Sequence, residues 1–248
     1  MSESSNVAII VQARMSSSRL PGKVLKELCG KALIEHVVER ASRSKFANHV
    51  ILATSNEASD DALAEYCQLK RIECHRGSLE DVLARFIGAA KQVNAQTIVR
   101  ITGDCPLIDP EIIDKVIMAF TTQEADYASN VLSRKYPRGL DVEVVSFKVL
   151  ENIHGLELKQ HHREHVTPYI YENKGLYKMV SVEAEGEFDH PHWRWCVDEP
   201  SDFEFIKALM EGVYFRKPEF NAEDLLEYIK QNPELPKINE QVAQKALH

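Results

Sequence analysis

Val7-Ala8-Ile9-Ile10-Val11, followed directly by Gln12-Ala13-Arg14-Met15-Ser16-Ser17-Ser18-Arg19-Leu20-Pro21-Gly22-Lys23, is the stretch on which the fold turns. Five apolar residues in a row, four of them β-branched, read as a strand buried on both faces, as strands of parallel sheets are. After Val11 the composition changes at once to three cations, three serines and a Pro-Gly turn. Glycine and small hydroxylated residues let backbone N–H groups approach an anion closely. Arginine adds bidentate bonds to phosphate, and lysine a compact charge. A flexible, solvated loop is the plain alternative. Three cations within ten residues, at the strand end where open α/β sheets bind ligands, favour an anion site. The loop is not a Walker A element: it has one glycine, and Lys23 is followed by Val24 rather than Ser or Thr. No G-x-G-x-x-G is present either, which counts against ATPase, GTPase and NAD-dependent chemistry.

Strand and helix patterns alternate from there to residue 120. Residues 32–44 place Leu33, Val37, Val38 and Ala41 at helical spacing. Residues 50–53 read as a strand, 59–69 as a helix capped by Ser59 or Asp60, and 72–74 as a short strand. Residues 79–93 read as a helix capped at Ser78, 97–101 as a fourth strand, and 110–120 as a helix with Pro110 in its first turn. This order predicts an α/β protein of Rossmann-like type, a mainly parallel sheet between helices. The pattern then breaks. Segments 127–131, 141–147 and 177–182 read as extended, 146–156 and 163–171 as helical. Residues 130–190 are therefore expected to form a β-rich insertion that covers the site or pairs subunits. A strand at 194–197 and helices at 200–211 and 222–231 complete a domain of residues 1–232. Residues 233–248, with two prolines and few large apolar side chains, read as a loosely docked tail.

The chain has 248 residues, enough for one large α/β domain, and 44% hydrophobic content supports a core. A net charge of −8 argues against a nucleic-acid partner, whose phosphates call for a basic surface. Cys29, Cys67, Cys74, Cys105 and Cys196 are odd in number, widely spaced and without a C-x-x-C pair. They read as free thiols in a reducing compartment. The N-terminus is polar, and the apolar run at 7–11 is far too short to span a bilayer. A cytoplasmic protein with no membrane partner is expected.

Arg14-x-x-Ser17-x-Arg19-Leu20-Pro21-Gly22-Lys23 resembles the N-terminal signature of the cytidylyltransferases, the family of the synthetases of CMP-3-deoxy-manno-octulosonate and CMP-sialic acid. The whole pattern resembles in particular the spore-coat polysaccharide branch, from Val7 to about Met210. The resemblance implies a nucleotidyltransferase fold and CTP as the nucleotide. It implies CTP contacts from Gln12, Ala13, Arg14, Ser17, Arg19 and Lys23, with Arg14 and Lys23 also acting in catalysis.

Two further segments supply the chemistry that a triphosphate requires. Thr102-Gly103-Asp104-Cys105-Pro106 ends the fourth strand. Magnesium takes one or two protein carboxylates beside phosphate oxygens and water. Asp109 before Pro110 is the better helix cap, which leaves Asp104 as the first candidate for a metal ligand. The segment also matches the family's G-D-x-P element, whose Asp binds metal. Val197-Asp198-Glu199-Pro200-Ser201-Asp202 reads equally well as an N-cap or a ligand site. Its likeness to the family's V-D-x-P-x-D segment assigns Asp198 to the metal, with Asp202 left to the helix dipole.

Arg76, Ser78 and Arg85 surround the start of the third helix, where Asp81 and Arg85 also form a favourable i,i+4 pair. The resemblance gives Arg76, Ser78 and Arg85, with Asp104, a part in holding the nucleotide. Tyr136-Pro137-Arg138-Gly139-Leu140-Asp141-Val142-Glu143 resembles the branch's acceptor-facing element. Arg138 suits a carboxylate or phosphate, and Asp141 and Glu143, two apart on an extended segment, share a face. His165 is a further acceptor candidate. His161-His162-x-x-His165 and His190-x-His192 hint at zinc, but no H-E-x-x-H is present and the first run also matches the branch, where it is not a zinc site.

The function implied is magnesium-dependent transfer of CMP from CTP to a sugar acid or related polysaccharide precursor, with release of pyrophosphate, by a homodimer. The rival readings are a glycosyltransferase using a nucleotide-sugar and a noncatalytic nucleotide-binding module. Against the first, Pro106 stands where a D-x-D pair needs its second Asp.

Overall fold

The computed structural model describes residues 6–184 and 186–244. Positions 1–5 of the polar N-terminus and the last four of the expected tail lie outside the described residues. β1 (Val7–Gln12) is followed by the cationic loop, a 3-10 turn at Lys23–Leu25 and a hairpin of two-residue strands, β2 (Glu27–Leu28) and β3 (Lys31–Ala32). Strands of that length carry no periodic signal. Next come α1 (Leu33–Ala41), β4 (His49–Ser55), α2 (Asp61–Lys70), β5 (Glu73–Gly77), α3 (Val82–Gln92), β6 (Thr97–Thr102) and α4 (Pro110–Thr122), alternating as predicted. The second half contributes β7 (Tyr127–Ser129), β8 (Glu143–Ser146), α5 (Phe147–His154), α6 (Gln160–His165), α7 (Pro168–Glu172), β9 (Met179–Ser181), α8 (Pro200–Val213) and α9 (Ala222–Gln231).

One seven-stranded sheet, in the order β5-β4-β1-β6-β8-β7-β9, forms the centre. β8 alone runs against the others. The run at 7–11 is apolar throughout because each face of β1 meets a separate core. Ile9 and Val11 pack with Leu33, Val37, Phe205 and Leu225 on one side. Ala8 and Ile10 pack with Leu83, Phe86 and Leu150 on the other. Gln12 sits opposite both Ala53 and Thr102, so β1, β4 and β6 finish level and their loops open on one edge.

Several expectations change. Residues 130–190 are not a β-rich insertion: they add β8 and β9 to the same sheet and three helices beside it. The helix expected over 163–171 is two, because buried Val166 takes φ 73° and Pro168 starts a new turn. Residues 194–197 form a single bridge, Arg138 to Arg194, and no strand. The described part of the tail is not loose: a 3-10 turn at Leu235–Ile238 packs on α8, and Asn239 is buried. Asp81, not Ser78, caps α3 by accepting from the Ala84 N–H at 2.8 Å. Asp109 does cap α4, and its other oxygen accepts the Ala222 N–H at 2.6 Å, joining the starts of α4 and α9. Among the described residues no helix is long and apolar enough to cross a membrane.

Candidate active site

The cationic loop is wrapped around the backbone of Met15. The Met15 carbonyl accepts from the N–H groups of Ser17 and Gly22, both at 2.9 Å. The Met15 N–H donates to Asp60 Oδ1 at 2.7 Å. Asp60 is wholly buried and also receives the Ser55 N–H at 3.1 Å and the Ser55 hydroxyl. It therefore braces the loop against the end of β4, and its side chain does not cap α2. On the other side the Gly103 N–H donates to the Gln12 carbonyl at 2.7 Å. A Cβ on Gly103 would stand 2.7 Å from the Cβ of Ala13 and 3.0 Å from that carbonyl, so only glycine permits the approach.

This packing brings the predicted chemical residues together. Lys23 is buried, and its ammonium donates to Asp104 Oδ2 at 2.9 Å, Asp198 Oδ1 at 3.0 Å and the Val197 carbonyl at 2.6 Å. Arg19 reaches Asp198 Oδ2 and Glu199 Oε1, each at 3.0 Å. A bond from the Val197 N–H to the Asp104 carbonyl, 2.8 Å, pins the two acidic segments to each other. Burial works against the charge of Lys23, but the two carboxylates outweigh it and raise its pKa above the ordinary lysine value. Burial likewise opposes the charge of Asp104, and Lys23 reverses the balance and lowers its pKa. Neither aspartate is a helix cap; Asp109 and Glu199 hold those positions. Two carboxylates aimed at one ammonium form an oxygen donor set that already accommodates a single cation. That set fits a divalent ion such as magnesium, with the ammonium as its stand-in.

The predicted nucleotide residues divide. Arg14 is exposed and Ser17 half-buried, on the open face of the loop. Arg85 is 1% exposed, and its Nε and Nη1 have no partner among the described residues. Burial lowers its pKa and nearby Arg14 adds to the effect, while Asp60 opposes it. Buried donors left open are costly, so Arg85 has the capacity to take a polar or anionic partner, water included. The expected Asp81–Arg85 pair does not form, because Asp81 takes Arg163 at 2.7 Å and caps α3. Ser78 is exposed, and its hydroxyl accepts from the Asp81 N–H at 3.1 Å. Arg76 is committed elsewhere: it donates to the carbonyls of Ser55 and Glu57 and to Asp61, bracing the β4–α2 connection.

The acceptor candidates divide as well. Gly139, at φ 105°, lets residues 138–139 lie on Trp195 so closely that a Cβ would fall 2.3 Å from the Trp195 carbonyl oxygen. This contact sets Arg138 beside Arg194. Arg138 is half-buried, and burial together with the neighbouring Arg134 lowers its pKa. Asp141 is held by Arg134 through two bonds of 2.7 Å. Glu143 is not available to an acceptor. It is buried and accepts from the Tyr127 hydroxyl at 2.5 Å, the Thr167 hydroxyl at 2.6 Å and Arg100. Arg100 continues to Gln12 at 3.3 Å, so Glu143 links α7 to the end of β1. His165 ends α6, half-buried. His161 and His162 both face Glu172, at 2.9 and 2.8 Å, and tie α6 to α7.

Sequence reasoning missed two site residues. Asp60 was legible only as a cap. Arg194 stands four residues before Asp198 and eight before Asp202, and it bonds both. That spacing carries no rule for an irregular segment.

A mainly parallel sheet whose strand ends gather a cationic loop and two convergent aspartates is an arrangement suited to a nucleotidyltransferase. The chain belongs to the cytidylyltransferase family, whose model matches residues 8–230. It is 36% identical over 234 residues to the spore coat polysaccharide biosynthesis protein SpsF of Bacillus subtilis, covering 92% of this chain and 96% of that one. It is 32% identical over 129 residues to the 3-deoxy-manno-octulosonate cytidylyltransferase of Geobacter sulfurreducens, about half of each chain (52% and 51%). Among solved structures, a cytidylyltransferase from Leptospira borgpetersenii superposes with a TM-score of 0.87 at 34% identity, covering 98% of this chain and all of that one.

Proposed function

We propose that the protein transfers CMP from CTP to an acceptor bearing an acid group, a sugar acid or related polysaccharide precursor, and releases pyrophosphate. The observation that carries this reading is the convergence of Asp104, Asp198 and Arg19 around Lys23 at the ligand edge of the sheet. The names of the Bacillus and Geobacter relatives support the acceptor class.

In this reading Arg14, Arg19 and Lys23 neutralise the triphosphate, and Lys23 exchanges its carboxylate partners for phosphate oxygens. Asp104 and Asp198 would hold magnesium, which supplies charge neutralisation to the triphosphate and the departing pyrophosphate. Arg138 receives the acid group of the acceptor and orients it. An acceptor oxygen forms a bond to the α-phosphorus in line, the bond to the bridging oxygen breaks, and pyrophosphate leaves with the electron pair. The acceptor's proton, where it has one, passes to solvent, since no side chain stands out as a base among the described residues. The protein's contribution is position and charge.

Pyrophosphate release from ATP, CTP, GTP and UTP, each with a panel of acid sugars, tests the proposal. CTP with one acid sugar is expected to support release. A nucleoside diphosphate or monophosphate released from an added nucleotide-sugar would instead indicate a glycosyltransferase, and binding without any release a noncatalytic module. Consumption of CTP fits a cytoplasmic enzyme. We also expect a homodimer through residues 140–185, where Leu156 and Leu176 are exposed. Sedimentation velocity checks this, and a monomer at micromolar concentration would refute it.

A further inference from the structure

The two candidate metal ligands are supported very differently. Asp104 sits in a turn fixed by backbone bonds to Gln12 and Val197. Asp198 lies on an irregular segment between the Arg194 bridge and α8. Its carboxylate direction must therefore be set by what touches it. Oδ2 accepts from Arg194 Nη2 at 2.9 Å and from Arg19 Nη2 at 3.0 Å. That leaves Oδ1, the oxygen turned to Lys23, for a cation.

Arg194 is itself held from three sides. Its side chain is 5% exposed. Nε and Nη2 donate to the two oxygens of Asp202, both at 3.2 Å, and Nη1 donates to Gln244 Oε1 at 2.5 Å. Asp202, wholly buried, also receives the N–H groups of Asp198 and Glu199 at 3.0 and 3.1 Å. Asn239 closes the ring: its amide donates at 2.9 Å to the Arg194 carbonyl and at 2.9 Å to Asp202 Oδ1. Two of these partners, Asn239 and Gln244, belong to the C-terminal segment beyond the last helix.

We infer that Arg194 is a positioning residue for Asp198, and that the segment 235–244 is a working part of the active site, clamping Arg194 through Asn239 and Gln244. The inference rests on the reading of Asp198 as a metal ligand. Removing a group that orients a ligating carboxylate typically costs about 10- to 100-fold in metal affinity or activity. A network that served only to hold α8 in place would change thermal stability and leave metal affinity alone.

The test uses the full chain with Asn239→Ala, Gln244→Ala, Arg194→Met and Arg194→Lys. Manganese binding in the presence of CTP is read by electron paramagnetic resonance, alongside the magnesium dependence of pyrophosphate release and the melting temperature. Asn239→Ala and Gln244→Ala are each expected to weaken metal binding by about 10-fold and Arg194→Met by up to about 100-fold. Arg194→Lys should recover part of the loss, and the KM for the acceptor should stay constant throughout. Wild-type metal affinity in Asn239→Ala and Gln244→Ala, with only the melting temperature lowered, would overturn the clamp. Should Arg194→Met fail to fold, the two tail variants carry the test alone. Asp198→Asn separates the two ideas. Unchanged metal binding there removes Asp198 as a ligand, whereas lost binding there with normal tail variants removes only the clamp.

Discussion

Replacing Lys23 with methionine is expected to lower turnover by about 10²-fold or more, the usual loss when one charge-stabilising donor is removed. The same change should make the free protein more dependent on divalent cations. In the wild type the ammonium is paired with Asp104 and Asp198, with only 10% of the lysine side chain exposed, and Asp198 is also paired with Arg19 and Arg194. Methionine keeps the length and the apolar stem but takes the cation from Asp104, while Asp198 keeps Arg19 and Arg194. Removing one partner from a buried ion pair costs about 3–5 kcal/mol; this site is partly open to water, so a loss of about 2–3 kcal/mol is expected without metal. Magnesium should then raise the melting temperature of Lys23→Met more than that of the wild type, since it binds the folded state where the ammonium no longer competes. Thermal melts with and without magnesium check the sign. An equal magnesium effect in both proteins would mean that Lys23 does not occupy the cation position.

This coupling explains what the sequence could disclose and what it could not. The first four long strands and their helices were legible because each face of β1 is buried by a different layer, which writes a continuous apolar run. The loop was legible because its composition, cations and small residues crowded at the end of a strand, is the one an anion site demands. Asp104 and Asp198 were recognisable as types, but their meeting depends on Gly103 lying against Gln12 and on the bond between Val197 and Asp104, contacts between segments far apart in the chain. The failures have the same origin. Glu143 reads as free in the sequence because nothing in its neighbourhood announces Tyr127, Thr167 and Arg100 as partners. Arg76 looked like a ligand-binding cation because its partners are mostly backbone carbonyls, which every residue has. The tail looked loose because it lacks large apolar side chains. Its anchor is largely polar: Asn239 is buried on Arg194 and Asp202, with Leu235 packed on the core beside it.

Asp104→Asn is expected to reduce turnover by about 10²- to 10³-fold with little loss of stability, whereas Asp198→Asn should damage both. Asparagine keeps the size and one oxygen of aspartate but removes the charge. At position 104 that change frees a single cation, Lys23, which retains Asp198 and the Val197 carbonyl. The backbone bond from Val197 to the residue 104 carbonyl is also untouched. The fold therefore has a way to tolerate the substitution, and the loss falls on the chemistry. At position 198 the same change takes a counter-ion from Lys23, Arg19 and Arg194 together. Three partly buried cations would then compete for Asp104, Glu199 and Asp202. Nucleotide binding should respond in the opposite order to stability. CTP without metal should bind Asp198→Asn at least as well as the wild type, because Lys23 and Arg19 lose a carboxylate that competes with its phosphates. Calorimetry with CTP in chelator, melting curves and steady-state pyrophosphate release give the three readings on one set of proteins. Near-normal turnover of Asp104→Asn in saturating magnesium would remove Asp104 from the metal site. Equal melting temperatures for the two variants would show instead that the cations around Asp198 are screened by solvent and contribute little to the fold.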